Sequence, residues 1–397
     1  MKIAGIIAEY NPFHNGHAYQ IAETRRSCGA EGIVCVMSGN FVQRGGPAIF
    51  DKWQRAYFAL LGGADLVIEL PCRYAVSCAE QFAWGAVATL DALGCVDVLS
   101  FGAESGNLAA LSEAAACLEQ ENTAFQASLA RALAAGKRFV LARAQAASEA
   151  YGIPDTLLSE ANNILAIEYM KALRRLQSMM QPYCVRRKGP AYHSTVVEGS
   201  LASATGIRTI LAEGGSAEPY VPKAVYHAIS IAESGGFGPV YSRDFDMAVL
   251  SCLRRMDTAS LARVSDMAEG LQYRIKRAAQ QADSIDMLIR QCTTKRYSEA
   301  RIRRLIWSAF LSIGQIDAHT APTYIRVLGM NTVGSRILKV ARQTARLPIV
   351  TKAAAFAKKK DILFETDVLA TDLYSLALKN ESARRGGRDF TTSPILV

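Results

Sequence analysis

Two histidines near the N-terminus have the types and the spacing to act on a phosphate group. His14 and His17 follow the turn signal Asn11-Pro12, and a helical pattern begins directly after them. Backbone N–H groups at a helix N-terminus point towards an anion, and the helix dipole favours negative charge there. Two imidazoles at such a turn can donate hydrogen bonds to phosphate oxygens that gain charge during a reaction.

The histidine pair alone is compatible with a metal site, with a polar turn that binds nothing, and with a nucleotide site. An isolated H-x-G-H pattern occurs by chance in many proteins. Here it follows an apolar run of strand length that begins at Ile3, and Gly16 allows a ligand to approach the backbone closely. We therefore interpret the turn as part of a nucleotide site.

Strands and helices alternate over the first hundred residues. Strands are expected at Gly32–Met37, Asp65–Leu70 and Val96–Phe101, and helices at Asp51–Leu61 and Ser77–Leu93. Continuous apolar strands that alternate with helices indicate a parallel sheet covered on both faces. Ligands of such sheets bind beyond the carboxyl ends of the strands, which is where the histidine turn lies.

The next segment extends this α/β pattern. Residues 107–178 are expected to be mainly helical, and one helix is expected to open at Asn162-Asn163. Pro182–Arg187 predicts a last strand, followed by a loop that continues to Gly199. Ser203 is a suitable N-cap for the helix after it. We predict that residues 1–240 form a nucleotide-binding domain.

The sequence changes character after about Tyr241. Long amphipathic helical patterns dominate as far as Gly314, so residues 241–397 are predicted to form a mostly helical C-terminal domain. Pro322–Lys339 is expected to supply a short strand and a helix that return to the first domain. The tail around Arg384–Arg388 is expected to be flexible.

Basic residues recur along these C-terminal helices. We interpret them as contacts for RNA phosphates, although a solvated surface has the same pattern. Tyr297 and Trp307 are candidates for stacking on bases, with core packing as the alternative for Trp307. The recurring basic residues are Arg254, Arg255, Arg274, Lys276, Arg277, Lys295, Arg296, Arg301, Arg303 and Arg304.

The composition is that of a basic globular protein. The chain has 397 residues, a net charge of +9 and a pI of about 9.1, which favours a polyanionic partner such as RNA; no DNA partner is expected. The nine cysteines occur singly in apolar segments, which favours reduced core residues in a cytoplasmic protein. No apolar run reaches the ~18–20 residues needed to span a bilayer, and no signal peptide follows Lys2.

The wider pattern resembles the tRNA(Met) cytidine acetate ligases, which are members of the HxGH nucleotidylyltransferase superfamily. Two positions depart from the family pattern: Ala161 stands where a proline is expected, and Gly206 stands where an alanine is expected. Both replacements are conservative in size. The matching segments are Ile7–Gln20, Met37–Gly45, Asp51–Trp53, Phe101–Glu104, Asn162–Leu165, Ser203–Arg208 and Arg326–Gly329.

This resemblance implies a fold and a reaction. The fold is a Rossmann-like nucleotidylyltransferase domain with a parallel sheet, followed by a mostly α-helical domain. ATP, accompanied by Mg²⁺, would bind over the strand ends, and acetate would attack the α-phosphate to give acetyl-adenylate and pyrophosphate. The acetyl group would then pass to N4 of the wobble cytidine of elongator tRNA(Met), giving N4-acetylcytidine.

The resemblance also implies site residues. His14 and His17 would be catalytic, together with Lys52, unless Lys52 is only a surface lysine. The loop Gly39–Gly46 would cover the nucleotide and bring Arg44 near anionic groups, with a plain flexible loop as the alternative. The implied ATP contacts are Ile7, Ala8, Glu9, Tyr10, Asn11, Pro12, Phe13, His14, Asn15, Gly16, His17, Gln20, Gly102, Asn162, Asn163, Arg186, Arg187, Ser203, Thr205 and Arg208.

Several alternatives stay open at this point. The pattern does not separate Asn162 from Asn163, or Arg186 from the favoured Arg187. We expect no bound metal at His193, His227 or His319, which lack partners at ligand spacing. Oligomeric state, selection of one tRNA and a base for the cytidine amine are not indicated.

Two rival functions remain. A small-molecule adenylyltransferase that makes a nucleotide cofactor would use the same N-terminal half but leaves the basic helices without a function. A non-catalytic RNA-binding protein with a relic nucleotide fold would not need the histidine turn or the Ser203–Arg208 segment. ATP–pyrophosphate exchange with and without acetate, followed by transfer of acetate to tRNA, separates the three.

Overall fold

The protein is described by a computed structural model that covers residues 1–187, 197–198, 201–315, 317 and 319–397. His193 and most of the predicted loop after Arg187 lie outside these residues. The strands in the described part are β1 (Ile3–Ala8), β2 (Gly32–Ser38), β3 (Phe41–Val42), β4 (Gly46–Pro47), β5 (Leu66–Leu70), β6 (Val98–Ala103), β7 (Gln181–Arg186), β8 (Val197–Glu198), β9 (Leu201–Ala202), β10 (Ile325–Met330), β11 (Ile349–Val350) and β12 (Ile395–Leu396).

Helices surround these strands. In the N-terminal part they are α1 (Asn15–Cys28), α2 (Lys52–Leu61), α3 (Cys72–Ala75), α4 (Ala79–Ala92), α5 (Leu108–Glu119), α6 (Thr123–Ala134), α7 (Phe139–Tyr151), α8 (Asp155–Ser159), α9 (Ala161–Arg175), α10 (Ala204–Ala212) and α11 (Lys223–Ser234). They continue as α12 (Asp246–Arg255), α13 (Thr258–Ala262), α14 (Leu271–Gln281), α15 (Ile285–Cys292), α16 (Glu299–Phe310), α17 (Thr332–Thr344), α18 (Ala353–Phe356), α19 (Ile362–Ser375) and α20 (Arg388–Thr391).

The central sheet confirms the predicted α/β fold. Its strand order is β11-β10-β5-β2-β1-β6-β7, with β12 beside β10. The strands β5, β2, β1, β6 and β7 are all parallel to their neighbours in this set. Every residue of β2 and β5 is buried, which explains why both strands are almost entirely apolar; Glu69 of β5 is the charged exception. The chain moves outward from β1 through β2 to β5, then returns to the other side of β1 as β6.

This reversal creates a crevice beyond the carboxyl ends of β1 and β6. Such a topological switch point is the usual ligand site of an open α/β sheet. The histidine turn follows β1, and Gly102 lies near the end of β6. The fold therefore brings these two predicted segments to one place.

The sheet also includes strands from beyond residue 241. The strand predicted within Pro322–Lys339 is β10, which pairs antiparallel with β5 and places Arg326 opposite Glu69. The helix predicted after it is α17. Because β10, β11 and β12 all join the central sheet, the C-terminal segment completes it as well as adding helices. The division of the chain at residue 241 stays a prediction.

The predicted flexible tail is wrong at its C-terminal end: Arg388 and the next residue, Asp389, pair with buried groups, whereas Arg384 and Arg385 are exposed. Arg388 donates to Asp51 Oδ2 at 2.9 Å, and Asp389 lies 2.8 Å from Lys52 Nζ and 2.5 Å from an Arg326 nitrogen. The Asp389 side chain is 0% exposed. These pairs attach α20 to α2 and β10.

Lys52 lies at the centre of this buried ion cluster, so the alternative of a surface lysine is also wrong. Its side chain is 0% exposed, and its ammonium lies 2.9 Å from Glu69 as well as 2.8 Å from Asp389. Arg326 contacts the same two carboxylates. Burial disfavours the charged form of Asp389, but Lys52 and Arg326 lower the pKa of its carboxyl overall.

The helices α12, α14, α15 and α16 enclose a second apolar core. Trp307 is buried there, with ring centroids 5.4 Å from Phe41 and 5.3 Å from Phe245, so core packing is confirmed for this residue. The guanidinium groups of Arg296 and Arg301 each lie under 6 Å from the ring centroid of Tyr297. In the described part of the chain, no helix has the length and apolarity needed to cross a bilayer.

Several of the recurring basic residues hold helix ends. Lys276 donates to the carbonyls of Arg254 and Met256, at the end of α12. Arg254 donates to Ala279 and Ala282 at the end of α14. Cations at helix C-termini satisfy carbonyls that have no partner within the helix. These side chains therefore have structural contacts that the charge pattern alone did not reveal.

Candidate active site

The histidine turn forms an N-terminal cap made of two imidazoles. His14 is the N-cap of α1, and its Nδ1 accepts a hydrogen bond from Gly16 N at 3.1 Å. His17 Nδ1 accepts from His14 N at 3.2 Å, which completes a capping box. The two rings are stacked, with centroids 3.6 Å apart. Because each Nδ1 accepts a backbone hydrogen, the proton of each neutral ring is on Nε2.

The surroundings keep both rings neutral. Burial, together with the nearby charges of Arg187 and Arg208, lowers the pKa of His14 to about 3. Burial, followed by His14 and Arg187, holds the pKa of His17 well below its ordinary value. At neutral pH each ring therefore presents one Nε2–H donor and no net charge, and the positive charge nearby comes from arginines.

A cleft lies at the switch point beside these rings. It encloses about 900 Å³ of space, open solvent included. Its lining comes from β1, α1, β6, α4, α9, the loop after β3 and the start of α10. The lining residues are Ile7, Ala8, Glu9, Tyr10, Asn11, His14, His17, Gln20, Gln43, Arg44, Phe82, Phe101, Gly102, Asn162, Leu165, Tyr169, Arg187, Ser203 and Ala204.

A second cavity adjoins the first along the histidine pair. Both are lined by His14, His17 and Arg187, and also by Gln20, Gly102 and Ser203. The second cavity adds Gly16, Tyr19, Val185 and Ala202. The two imidazoles and one guanidinium thus border both spaces.

The start of α10 is fixed beside the cleft by an arginine network. Ser203 is the N-cap of α10, as predicted, because its Oγ accepts from Gly206 N at 3.0 Å. Arg208 donates to Asn11 O at 2.8 Å and to Thr205 Oγ1 at 3.1 Å. Arg44 donates to the same threonine hydroxyl at 2.6 Å. Two cations and a helix N-terminus therefore converge where an anion is favoured.

Similarity to known proteins decides the family. The HIGH Nucleotidyl Transferase family matches residues 1–389. A tRNA(Met) cytidine acetate ligase of Caldanaerobacter subterraneus subsp. tengcongensis is 43% identical over 389 residues, which cover 96% of each chain. This chain belongs to the tRNA(Met) cytidine acetate ligase family. The ligase of that name from Acetivibrio thermocellus is 37% identical and matches 100% of both chains.

The same family provides solved structures with this fold. Apo TmcAL of Thermotoga maritima superposes with a TM-score of 0.94 at 32% identity, and each chain is covered completely. The structure of that protein bound with alpha-thio ATP gives a TM-score of 0.93. The Rossmann-like sheet with added helices is therefore the family fold, and the predicted fold class is confirmed.

Most of the predicted residues in and around the histidine turn line the cleft. The first five, from Ile7 to Asn11, line the cleft, as do His14, His17 and Gln20. Phe13 is buried and packs against Tyr10 behind the turn, with ring centroids 4.9 Å apart. Asn15 donates to Pro219 O instead. Pro12, Thr205 and Arg208 are not lining residues either. Two of them contact lining residues: Arg208 donates to Asn11 O, and Thr205 accepts from Arg44.

The geometry distinguishes the paired candidates. Asn162 lines the cleft, and its amide donates to Glu104, whereas Asn163 is buried and accepts from Ser105 N at 3.1 Å. Arg187 lines both cavities, and Arg186 lines neither. Lys52 is also absent from both linings. We therefore retain Asn162 and Arg187 as the predicted ATP contacts, and the predicted catalytic contact of Lys52 has no support from this geometry.

The loop after β2 lies over the cleft. Gln43 N donates to Glu9 Oε1 at 2.9 Å, and both Gln43 and Arg44 are lining residues. Arg55 fixes the base of the loop by donating to Ser38 O at 2.9 Å and to Glu9 O at 2.6 Å. These contacts hold the short β3–β4 hairpin in one position next to the histidine turn.

Four lining residues with large apolar side chains were not predicted from the sequence. They are Phe82, Phe101, Leu165 and Tyr169. Leu165 and Tyr169 follow Asn162 at helical spacing on α9, so all three share one face of that helix. This spacing was visible in the sequence once Asn162 was a candidate. Nothing in the sequence indicated that Phe82 of α4 faces the same space.

The depressed histidine pKa predicts an acid-sensitive fold. A histidine of the unfolded chain titrates near 6.5, whereas His14 in the folded chain titrates near 3. Below pH 6.5 the unfolded state binds more protons than the folded state. The free energy of unfolding that depends on a neutral His14 is therefore fully present above pH 6.5. It decreases by about 1.4 kcal/mol per pH unit on acidification towards pH 3.

The measurement is urea unfolding without ATP between about pH 7 and pH 5, on the wild type and on His14→Asn. Asparagine retains the N-cap acceptor but does not titrate. Because His14 also lowers the pKa of the stacked His17, the difference between the two proteins reports the titration of the histidine pair, while groups away from the pair titrate equally in both. We expect the variant to lose less stability on acidification, and parallel curves would contradict the assigned neutral state.

Proposed function

We propose that this protein is an ATP-dependent ligase that converts acetate to acetyl-adenylate and transfers the acetyl group to N4 of the wobble cytidine of elongator tRNA(Met). One observation carries the proposal: two neutral, stacked imidazoles present Nε2–H donors at the N-terminus of α1, within a cleft at the switch point. The names of its relatives and the alpha-thio ATP bound to TmcAL support the same assignment.

In the first step, an acetate oxygen attacks the α-phosphorus of ATP. The bond from that phosphorus to the bridging oxygen breaks, and pyrophosphate leaves with the electron pair. Negative charge grows on the phosphate oxygens, where Nε2–H of His14 and of His17 donate hydrogen bonds. Arg187 lies at the same boundary and offsets charge on the departing group.

In the second step, the cytidine amine attacks the acetyl carbonyl carbon. The bond from this carbon to the phosphate oxygen breaks, AMP leaves, and the amine loses a proton. A mixed anhydride with AMP provides the leaving group that acetate lacks. An anticodon loop presents its bases unstacked, so a wobble base can enter a cleft at low cost.

Magnesium is proposed to accompany ATP. Mg²⁺ prefers oxygen ligands and is commonly held by one or two carboxylates together with substrate phosphates. Among the cleft residues in the described part of the chain, Glu9 is the carboxylate available for this function. Its Oε1 accepts from Gln43 N, which also orients the carboxylate. The ion would offset phosphate charge.

We also propose that the C-terminal region contacts the tRNA backbone. Lys276 and Arg254 hold helix ends, and Arg301 and Arg303 pair with acidic residues. The side chains of Arg255, Arg277 and Lys295 are exposed and make no hydrogen bond or ion pair within the described part of the chain. These three are the best candidates for phosphate contacts, whose contribution would weaken with added salt.

Two linked assays test the function. ATP–pyrophosphate exchange is measured with and without acetate, and labelled acetate is then followed into elongator tRNA(Met). A transcript whose wobble cytidine is replaced by uridine is the matched control. We expect exchange only with acetate, and label only in the cytidine transcript. Acetate-independent AMP transfer to a small phosphorylated acceptor would instead identify a cofactor adenylyltransferase.

A further inference from the structure

One end of the cleft is apolar and unsuited to phosphate. Phe82 and Phe101 are each 3% exposed and Tyr169 is 5% exposed, and their side chains line the cleft together with Ile7 and Leu165. The rings of Phe101 and Tyr169 lie 5.9 Å apart. Burying a charged phosphate against such walls would cost more free energy than leaving it in water.

The adenosine has another place to bind. The adjoining cavity is bordered by Gly102, where an added Cβ would meet Arg187 Cγ first, at 3.4 Å, so a flat base can approach the backbone there. It meets the cleft at His14 and His17, where the α-phosphate is proposed to lie. A nucleotide that extends from this cavity to the histidines leaves the apolar end free for another group, because none of its residues lines the adjoining cavity.

A cation lines the same cleft as the apolar end. Arg44 lines the cleft, and its Nη1 is fixed by Thr205 Oγ1 at 2.6 Å. A buried apolar surface beside a guanidinium suits a small amphiphile with one negative charge and one alkyl group. A short-chain carboxylate has this chemistry, and adenine does not.

We propose that Ile7, Phe82, Phe101, Leu165 and Tyr169 form the binding site for the alkyl group of the carboxylate substrate and limit its chain length. The inference rests on the proposed function, because it requires a carboxylate to attack the α-phosphate. The carboxylate group faces the histidines and Arg44, and the alkyl group points into the apolar end. Because this part of the lining consists of buried side chains, each added methylene would contact one of them.

The experiment widens the site at Leu165. Leu165→Ala and the milder Leu165→Val are assayed by ATP–pyrophosphate exchange with acetate, propionate and butyrate. A methylene in an apolar pocket changes kcat/KM by roughly 10–200-fold. We expect the propionate-to-acetate ratio of kcat/KM to rise about 10-fold or more in Leu165→Ala and less in Leu165→Val, with the KM for ATP within about two-fold of the wild type.

Two further variants serve as controls. Ile164 is the neighbouring residue on α9; it is similarly half-buried and does not line the cleft, so Ile164→Ala should keep the wild-type ratio. Val185 lines only the adjoining cavity, so Val185→Ala should change the KM for ATP and not the ratio.

Two results would overturn the inference. One is an unchanged ratio in both Leu165 variants, which would show that the alkyl group lies elsewhere. The other is a raised KM for ATP in Leu165→Ala without a changed ratio, which would place the adenosine at the apolar end. Absence of carboxylate-dependent exchange in the wild type would instead reject the proposed function itself, so the two failures are distinguishable.

Discussion

Replacing either ring of the histidine pair with an amide is expected to lower ATP–pyrophosphate exchange by about 10²–10³-fold while the protein stays folded. Each neutral imidazole offers one Nε2–H donor towards the cleft, since its Nδ1 is occupied by a backbone hydrogen. Loss of one preorganised donor removes stabilisation that is strongest in the transition state. The loss should therefore appear in kcat rather than in the KM for ATP.

The choice of amide separates catalysis from capping. His14→Asn retains an N-cap acceptor, and His17→Gln retains the acceptor at the third helical position of a capping box. The alanine variants remove ring and cap together, and a lost cap alone costs about 1 kcal/mol of stability. We expect the amide and alanine variants to lose similar activity, with the amide variants closer to the wild type in unfolding midpoint.

The opposite pattern would be informative. If His14→Asn and His17→Gln release pyrophosphate at the wild-type rate, the rings only cap α1 and another group must stabilise the α-phosphate. If exchange falls only in the alanine variants, in proportion to lost stability, the pair is structural. Circular dichroism and urea unfolding on each variant provide the stability reference.

Local sequence signals predicted the part of the site that lies in single segments. The strand-turn-helix pattern located His14 and His17, and Ser203 was correctly identified as an N-cap because capping depends on a few neighbouring residues. The parallel sheet followed from uninterrupted apolar runs. Each of these features is determined within about one helical turn or one strand.

Features that depend on distant contacts were not predicted. The tail at Arg388 and Asp389 contains glycines and charges, which suggest a mobile end, but its partners lie in α2 and β10. Phe82 reaches the cleft only because α4 packs beside α9, and a single helical pattern does not reveal that. The sequence pattern of Lys276 and Arg254 is that of an exposed basic face, but in the structure both side chains donate to carbonyls of other helices.

Lys52 is the clearest case, because the resemblance assigned it to catalysis and the fold places it in a buried cluster. It lies between Glu69 and Asp389, and Glu69 in turn lies close to the loop: a Cβ at Gly39 would meet Glu69 Oε1 at 2.6 Å. The main chain of Lys52 also donates to Asn40 Oδ1 at 2.7 Å. The cluster thus supports the loop that carries Gln43 and Arg44 over the cleft.

We therefore expect Lys52→Met to destabilise the protein by roughly 3–5 kcal/mol, because it leaves two buried carboxylates with Arg326 as their remaining cation. ATP–pyrophosphate exchange should fall in step with stability and recover at lower temperature.

The matched control is the double variant Lys52→Met/Asp389→Asn, which leaves one positive charge, Arg326, with one negative charge, Glu69. A double-mutant cycle should show that the second substitution recovers much of the stability lost in the first. Undiminished stability with exchange still lost in both variants would instead mean that Lys52 contacts a substrate, as the family resemblance implied.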